Sequence, residues 1–191
     1  MFEQEVRALL TARQIPFVDG TKSVSELDFF LPRQNISFDA KEKTQCFSMK
    51  NWAGARVAQE DLFIIDDLAA RKLLRKAPLS FCLIKDSSSQ SVTYYIYSIV
   101  DLMCIPKTRV RRPIEKSVKA FKGKWLLDLR DAAVFAELAD AVEYMLTYEK
   151  NFTLIFGQHI DCWGHYPSEE IKTSGTTRVP AFWKKDAKAH T

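Results

Sequence analysis

Three charged side chains, Asp28, Asp39 and Lys41, occur with a spacing that suggests metal chemistry on a β-hairpin. Runs of alternating apolar and polar residues flank the turn-forming stretch 32–35, Pro-Arg-Gln-Asn. Pairing across this loop sets Asp28 opposite Asp39, where Cβ atoms lie about 4.5–5.5 Å apart and like charges are destabilising. A divalent cation between the two carboxylates would turn that repulsion into a pair of metal ligands.

Lys41 is two residues beyond Asp39 and therefore projects from the same face of the strand. An ammonium group near such a cation can orient an attacking water, help to lower its pKa or stabilise negative charge developing at phosphorus. Two carboxylates, a lysine and a hard cation such as Mg²⁺ are the components of a phosphodiester hydrolysis site. The competing interpretation is an ordinary solvated hairpin face, on which Asp, Glu and Lys are common.

The elements that must position these side chains follow from the hydrophobic periodicity. The hairpin face expected to be buried consists of Leu27, Phe29, Leu31, Ile36, Phe38 and Ala40. The other elements predicted in residues 1–105 are a helix over 2–14, a strand over 15–18, a connection over 50–56, a helix over about 57–76 and strands over 79–84 and 92–99. The predicted order is α-β-β-β-α-β-β.

Beyond residue 105 the pattern predicts a strand at 124–129, an amphipathic helix over 131–148 and a strand at 152–156. The apolar side of that helix would consist of Val134, Leu138, Val142 and Met145. We expect residues 106–191 to extend the domain formed by residues 1–105, supplying DNA contacts or a dimer surface.

The spacing D-(x)10-D-x-K after an N-terminal helix resembles the PD-(D/E)xK nuclease superfamily, which has the restriction-endonuclease-like fold. Asp28 matches the first acidic position, and Asp39-Ala40-Lys41 matches the (D/E)xK element. Glu3, followed by Val6, Leu9, Leu10 and Ile15, resembles the opening helix of archaeal-type Holliday-junction resolvases, with Glu5 as the alternative acidic position.

A second stretch, FDAKEKTQCFSMKN, is similar to the FEAKET…F…N stretch of RecU-type resolvases. Gln59 falls where that family has a His-Gln pair. Three departures stand out: Leu27 replaces the proline, Asp39 replaces a glutamate, and Ala58 replaces the histidine. The last departure weakens the RecU-type assignment and leaves the broader nuclease assignment intact.

The resemblance implies an α/β fold with a mixed central sheet and a Mg²⁺-dependent endodeoxyribonuclease, with Mn²⁺ as a substitute metal. Asp28 and Asp39, with Glu3 and the Ala40 carbonyl oxygen, would hold the metal. Lys41 would orient the attacking water, and Gln59 would fix a phosphate or that water. A junction-resolving role would require a homodimer, because a four-way junction is two-fold symmetric. The alternatives are a restriction, transposition or repair endonuclease, or a non-catalytic DNA-binding or assembly module with a vestigial site.

Seven cationic residues are predicted to contact DNA phosphates, which position a duplex without reading its sequence. They are Lys22, Lys43, Lys50, Arg56, Arg109, Arg111 and Arg112. The three arginines belong to a basic stretch over 107–124, although the net charge of the chain is only +4. The alternatives are ordinary surface lysines, and arginines that pair with acidic residues of the 137–143 segment in a dimer.

Composition places the chain among soluble globular proteins, with 191 residues, 47% hydrophobic and 27% charged. No apolar run is long enough for a membrane span, and the acidic, amphipathic start predicts no secretory signal. The four cysteines show no CxxC spacing, so we expect reduced thiols and a cytoplasmic location. His159, Cys162 and His165 lie close together, but zinc requires a fourth ligand, and a loop is the preferred interpretation.

Overall fold

In the computed structural model of the chain, residues 1–52, 55–105, 107–114 and 117–148 are described. The strands are β1 (Val18–Asp19), β2 (Phe29–Leu31), β3 (Ile36–Lys43), β4 (Leu62–Asp66), β5 (Ser80–Asp86), β6 (Thr93–Ser98), β7 (Thr108–Ile114), β8 (Ser117–Asp128) and β9 (Ala133–Phe135). The helices are α1 (Phe2–Ala12), α2 (Asp67–Arg75), α3 (Ile99–Cys104) and α4 over 138–148. Within the described ranges, no helix has the length and apolarity to cross a membrane.

Six strands form the main sheet, in the order β1-β2-β3-β5-β6-β9. The central pair β3 and β5 is parallel, with Asp39 level with Cys82, and the flanking pairs are antiparallel. A parallel pair needs a crossover connection, and here the crossover contains β4 and α2. The prediction of an α/β protein with a mixed central sheet is confirmed.

The β2–β3 hairpin has the predicted register. Phe29 pairs with Phe38, and Leu31 pairs with Ile36. The six residues of the expected apolar face are all buried. Asn35 closes the loop with φ 54°, a left-handed conformation that asparagine tolerates better than most residues. Asp28 immediately precedes β2, and continuing the register one residue beyond Phe29 sets it level with Asp39.

The two faces of β3 have different coverings. Helix α1 packs on the face that carries Glu42, because Glu5 of α1 forms an ion pair with Lys85, the register partner of Glu42. The opposite face carries Asp39 and Lys41, since successive strand residues alternate. On that side Cys82 and Ile84 of β5 join a core cluster contributed by α2, β4 and β8.

The second sheet has the order β4-β8-β7 and was not expected. The helix predicted over about 57–76 is wrong for residues 62–66, which form strand β4, and only Asp67–Arg75 is helical. Phe63 and Ile65 of this run are buried in the core, and Ile64 pairs with Leu126 of β8. Aromatic and β-branched residues favour strands when a partner strand is available, and a neighbouring helix pattern hides that signal.

The carboxyl-terminal part of the described chain also corrects the sequence prediction. The strand expected at 124–129 lies within β8 and ends at Asp128. The helix expected over 131–148 is helical only from 138, because Ala133–Phe135 pairs with β6 as an edge strand. Val134, assigned to the buried helix face, is 56% exposed, whereas Val142 and Met145 are buried. The strand predicted at 152–156 lies outside the described residues.

Candidate active site

Asp28, Asp39 and Lys41 converge at the start of the hairpin. Lys41 Nζ lies 2.7 Å from Asp39 Oδ2 and 3.6 Å from Asp28 Oδ2, so one ammonium group faces both carboxylates. The Ala40 backbone N–H donates to Asp28 Oδ2 at 2.9 Å and fixes that carboxylate beside β3. In this arrangement Lys41 compensates one of the two opposed negative charges.

The backbone before β2 is held so that Asp28 reaches this position. The Gly20 N–H donates to the Asp28 carbonyl oxygen at 2.8 Å. A Cβ atom at Gly20 would lie 2.2 Å from the Leu27 carbonyl oxygen, so only glycine permits this approach of the two backbones. Lys72 of α2 donates to the Glu26 carbonyl oxygen at 2.6 Å, which ties the same segment to the helix.

The Asp39 carboxylate is buried with part of its hydrogen-bonding capacity unused. Its side chain is 1% exposed, and neither oxygen accepts a well-aligned hydrogen bond from a described residue, although Oδ2 forms the ion pair with Lys41. Buried polar atoms in native proteins are nearly always hydrogen-bonded, so such an exception requires an explanation. A ligand that approaches these oxygens would supply one.

The electrostatics of the three groups follow from this burial. The pKa of Asp39 is raised to about 6, mainly by burial; the Lys41 charge opposes this increase, and the Asp28 charge adds to it. For Lys41, burial lowers the pKa, but the carboxylates of Asp39 and Asp28 outweigh burial and hold it above its usual value. At neutral pH the site therefore contains an ionised but poorly solvated Asp39 beside a charged Lys41.

Cys82 lies next to this centre, on the neighbouring strand at the level of Asp39. The thiol is fully buried, and burial raises its pKa to about 12, with Asp39 contributing to the increase. In the metal-free site a thiol with this pKa is neutral at physiological pH. The oxygen donors offered by the site are those of Asp28 and Asp39.

This donor set fits a hard cation that keeps part of its water shell. Within the described ranges, no three His, Cys, Asp or Glu side chains form a group that could enclose a metal. Mg²⁺ is commonly held by one or two carboxylates together with waters and substrate phosphate, whereas zinc sites use three or four protein ligands, commonly His or Cys. Asp28 and Asp39 therefore fit Mg²⁺ or Mn²⁺ better than zinc.

The structure does not bring the predicted glutamate of α1 to this pair. Glu5 forms an ion pair with Lys85 at 2.5 Å on the opposite face of the sheet. Glu3 is half-buried in the same helix and belongs to no acidic cluster of the described residues. Ala40 meets the site through its N–H, which donates to Asp28, and the structure shows no role for its carbonyl oxygen.

Gln59 lies in the turn 58–61 that precedes β4, where its side chain is exposed. Lys43, two residues beyond Lys41, reaches the same turn: its Nζ donates to the Glu60 carbonyl oxygen and lies 2.9 Å from Asp86 Oδ2. The Lys43 side chain is 0% exposed. This burial corrects the prediction that Lys43 contacts DNA, because its ammonium group is enclosed by protein.

The other residues predicted to contact DNA phosphates differ in how exposed their side chains are. Lys22, Lys50 and Arg56 are exposed; Lys50 lies in the 3-10 helix Met49–Asn51, and Arg56 lines a groove with Lys107 and Asp128. In β7, Arg111 is exposed, and the side chain of Arg112 lies outside the described ones.

Arg109 of β7 is already engaged within the chain. Its guanidinium group donates to both carboxylate oxygens of Asp67, at 3.0 and 2.5 Å. Trp125 donates to the same carboxylate through Nε1 at 2.7 Å. Arg109 is therefore fixed at the beginning of α2, which makes it a weaker candidate for a phosphate contact than Arg111.

Asp86 and Cys82 are the neighbours of the site that the sequence did not single out. Both reach it through the parallel pairing of β3 with β5, in which Lys43 is level with Asp86. The hairpin pattern carries no information about that pairing. The only available signal was the charged end of an otherwise apolar strand, Lys-Asp-Ser at 85–87. The histidine and cysteine cluster at 159–165 lies outside the described residues.

Comparison of the chain with family models, with curated proteins and with solved structures found no match.

Proposed function

We propose that this chain is a Mg²⁺-dependent endodeoxyribonuclease that hydrolyses DNA phosphodiester bonds. The observation that carries the proposal is the buried Asp39 carboxylate, which faces Lys41 and Asp28 and accepts no well-aligned hydrogen bond from a described residue. A solvated polar face, the competing interpretation of the hairpin, would leave this carboxylate in water. The structure instead buries it with free acceptor capacity.

Asp28 and Asp39 are the residues that would hold the cation, which would supply Lewis-acid polarisation of the scissile phosphate and of the attacking water. The Ala40 N–H keeps Asp28 oriented toward Asp39. Lys41 is 37% exposed and can turn its ammonium group from the carboxylates toward the attacking water or the phosphate oxygens. Before metal and substrate bind, Lys41 is protonated, because the carboxylates hold its pKa above the usual value.

The topology supports the restriction-endonuclease-like fold as part of this proposal. Helix α1, the β1–β2–β3 meander and the parallel return through α2 to β5 follow the order that the resemblance implies. Asp28 immediately precedes β2, and Asp39 and Lys41 lie within β3. Strand β4 and the β7–β8 hairpin would then be additions to the nuclease core.

The proposed substrate is DNA, including branched DNA such as a four-way junction. Exposed cations at Lys22, Lys50, Arg56 and Arg111 are available for phosphate contacts. A homodimer in the cytoplasm would suit a junction-resolving role, because two sites related by a two-fold axis can cut two strands at related positions. The choice among branched and linear substrates is left to the cleavage experiment.

The test is to incubate the purified chain with linear duplex, flap and four-way junction DNA, in Mg²⁺ or in EDTA. We expect cleavage of at least one substrate in Mg²⁺ and none in EDTA. Asp39→Asn should abolish cleavage, while Glu42→Gln, on the opposite face of the same strand, should cut at the wild-type rate. Wild-type protein that cuts none of the substrates, or an active Asp39→Asn variant, would refute the proposal.

A further inference from the structure

Lys43 is a buried cation for which the proposed reaction has no direct use. Its side chain is fully enclosed, although lysine is among the residues least often buried. Its ammonium group forms an ion pair with Asp86 at the end of β5 and donates to the Glu60 carbonyl oxygen. Burying an ammonium group is costly, so its position in β3 beside the candidate site calls for a specific reason.

The partners of Lys43 connect three separate segments. Asp86 Oδ1 accepts from the N–H and the hydroxyl of Ser88, which fixes the carboxylate after β5. The Lys43 carbonyl oxygen accepts from the Ser87 N–H at 2.8 Å, so the ends of β3 and β5 are joined by backbone as well. The bond to Glu60 then attaches the turn 58–61 to this rigid pair of strands.

The other contacts of that turn among the described residues lie within it and at its end, where Leu62 begins β4 and pairs with Asp128 of β8. The Asp61 N–H donates to the Ala58 carbonyl oxygen at 3.1 Å and closes the turn itself. The Leu129 N–H donates to the Asp61 carbonyl oxygen at 2.8 Å at its end, and Arg130, which is 64% exposed, pairs with the Asp61 side chain. Lys43 provides the buried, charge-assisted attachment between the turn and the strand that carries Asp39 and Lys41.

We propose that Lys43 is a positioning residue that holds the 58–61 turn, and with it Gln59, at a fixed place relative to Asp39 and Lys41. This inference rests on the proposed nuclease function and on the role that the resemblance implies for Gln59, which is contact with a phosphate or with the attacking water. Lys43 acts through the Glu60 backbone, one residue from Gln59. A buried attachment of this kind would hold the exposed Gln59 side chain at a fixed position relative to β3, the strand that carries Asp39 and Lys41.

The experiment is a mutant cycle that combines loss of the attachment with loss of Gln59. Lys43→Met alone leaves Asp86 buried without its cation, so the variant used is Lys43→Met with Asp86→Asn, which removes the charge pair as a whole. Cleavage kinetics and amide hydrogen exchange in residues 58–61 are measured for wild type, Gln59→Ala, the Lys43/Asp86 double variant and the triple variant. Lys85→Met, which breaks the Glu5 pair on the other face, is the control.

We expect Gln59→Ala and the double variant each to lower kcat about tenfold with little change in KM. Moving the Gln59 side chain away from its contact should reduce the rate about as much as removing the side chain. The triple variant should be no slower than the double variant, because Gln59 can no longer contribute once the turn is released. Amide exchange at 58–61 should accelerate in the double variant and stay at the wild-type rate in the Lys85→Met control.

Two results would overturn the inference. The first is a triple variant in which the two rate losses multiply, or a Gln59→Ala variant with wild-type kcat. The second is unchanged amide exchange at 58–61 in the double variant, which would show that Lys43 does not hold the turn. A wild-type protein that fails to cleave refutes the proposed function instead, and the exchange measurement still decides whether Lys43 fixes the turn.

Discussion

Two lysines of strand β3 each pair with a buried aspartate, and the two pairs differ in one respect. Lys41 pairs with Asp39 at 2.7 Å, and Lys43 pairs with Asp86 at 2.9 Å, with both lysines on the same face of the strand. Asp86 uses both carboxylate oxygens, accepting from Lys43 and from Ser88. Asp39 has the same chemistry and deeper burial, but its oxygens accept no well-aligned hydrogen bond from a described residue.

The pKa values express the same difference. For Asp86, burial raises the pKa, but the hydrogen bonds from Ser88 and Lys43 outweigh burial and hold it below its usual value. For Asp39, burial dominates and raises the pKa to about 6. We interpret the Lys43–Asp86 pair as structural, and we propose that the Lys41–Asp39 pair is available to a ligand. Sequence spacing alone does not separate the two.

The largest expected effect is on the rate of DNA cleavage, which should fall more when Lys41 is replaced than when Lys43 is replaced. Lys41→Ala should lower the rate of DNA cleavage by about 10²–10³-fold, because it removes the charge that faces the reacting phosphate. DNA affinity should change little, since binding depends mainly on phosphate contacts elsewhere. Single-turnover cleavage and a binding titration in Ca²⁺ measure the two quantities. Loss of affinity in parallel with rate would make Lys41 a binding residue.

The second effect is on stability, where replacing Lys43 should cost more than replacing Lys41. Lys43→Met should lower the free energy of unfolding by about 3–5 kcal/mol, because it leaves Asp86 buried and unpaired. Lys41→Met should cost about 1 kcal/mol, because Lys41 is partly exposed and Asp39 can take up a proton. Urea unfolding at pH 6 gives both values. Equal costs would remove the distinction between the pairs.

The third effect is on the pH dependence of stability. A carboxyl with a folded pKa of about 6 against a reference of 3.8 binds more protons in the folded state, so the free energy of unfolding falls as pH rises from about 4 to 6. That difference in pKa corresponds to a loss of about 3 kcal/mol above pH 6. Asp39→Asn should abolish the fall and stabilise the metal-free protein at pH 8.

Asp86 should show the opposite sign. Its folded pKa is lowered, so its contribution to stability is present above pH 4 and is lost as pH falls through the lowered value. Thermal unfolding from pH 3 to 8 in EDTA compares Asp39→Asn with Asp86→Asn. Two variants whose stability profiles move in the same direction would contradict the assignment of the two pairs.

The smallest effect applies the same reasoning to two arginines of β7. Arg111 is exposed and forms no ion pair with a described residue, whereas Arg109 is held by Asp67. If Arg111 contacts a phosphate, Arg111→Ala should reduce the slope of log affinity against log salt by about 0.9. Arg109→Ala should leave the slope nearly unchanged. Equal reductions from both variants would show that Asp67 does not prevent Arg109 from binding DNA.

The hairpin was predictable because its information is local. Alternation on both sides of a four-residue turn fixed the register of β2 with β3, and the structure has Phe29 opposite Phe38 as expected. The same register determined that Asp28 and Asp39 are neighbours. The register of such a hairpin is set by its short loop and its alternating residues, so it can be predicted without knowing how the rest of the chain folds.

The errors occurred where long-range pairing decides the structure. Residues 62–66 carry an apolar run compatible with helix or strand, and pairing with β8, about 60 residues later, selects the strand. The same holds for Ala133–Phe135, which joins β6 as an edge strand. The burial of Lys43 follows from the β3–β5 pairing, which likewise brings two distant segments together.

The central claim is that Asp28 and Asp39 form the site of a hard divalent cation. Crystals of the protein soaked in Mn²⁺ test it directly, because the anomalous signal locates the metal without reference to activity. We predict a peak within about 2.3 Å of a carboxylate oxygen from each of Asp28 and Asp39. An anomalous peak at His159 and Cys162 together with none between the two aspartates would contradict the account.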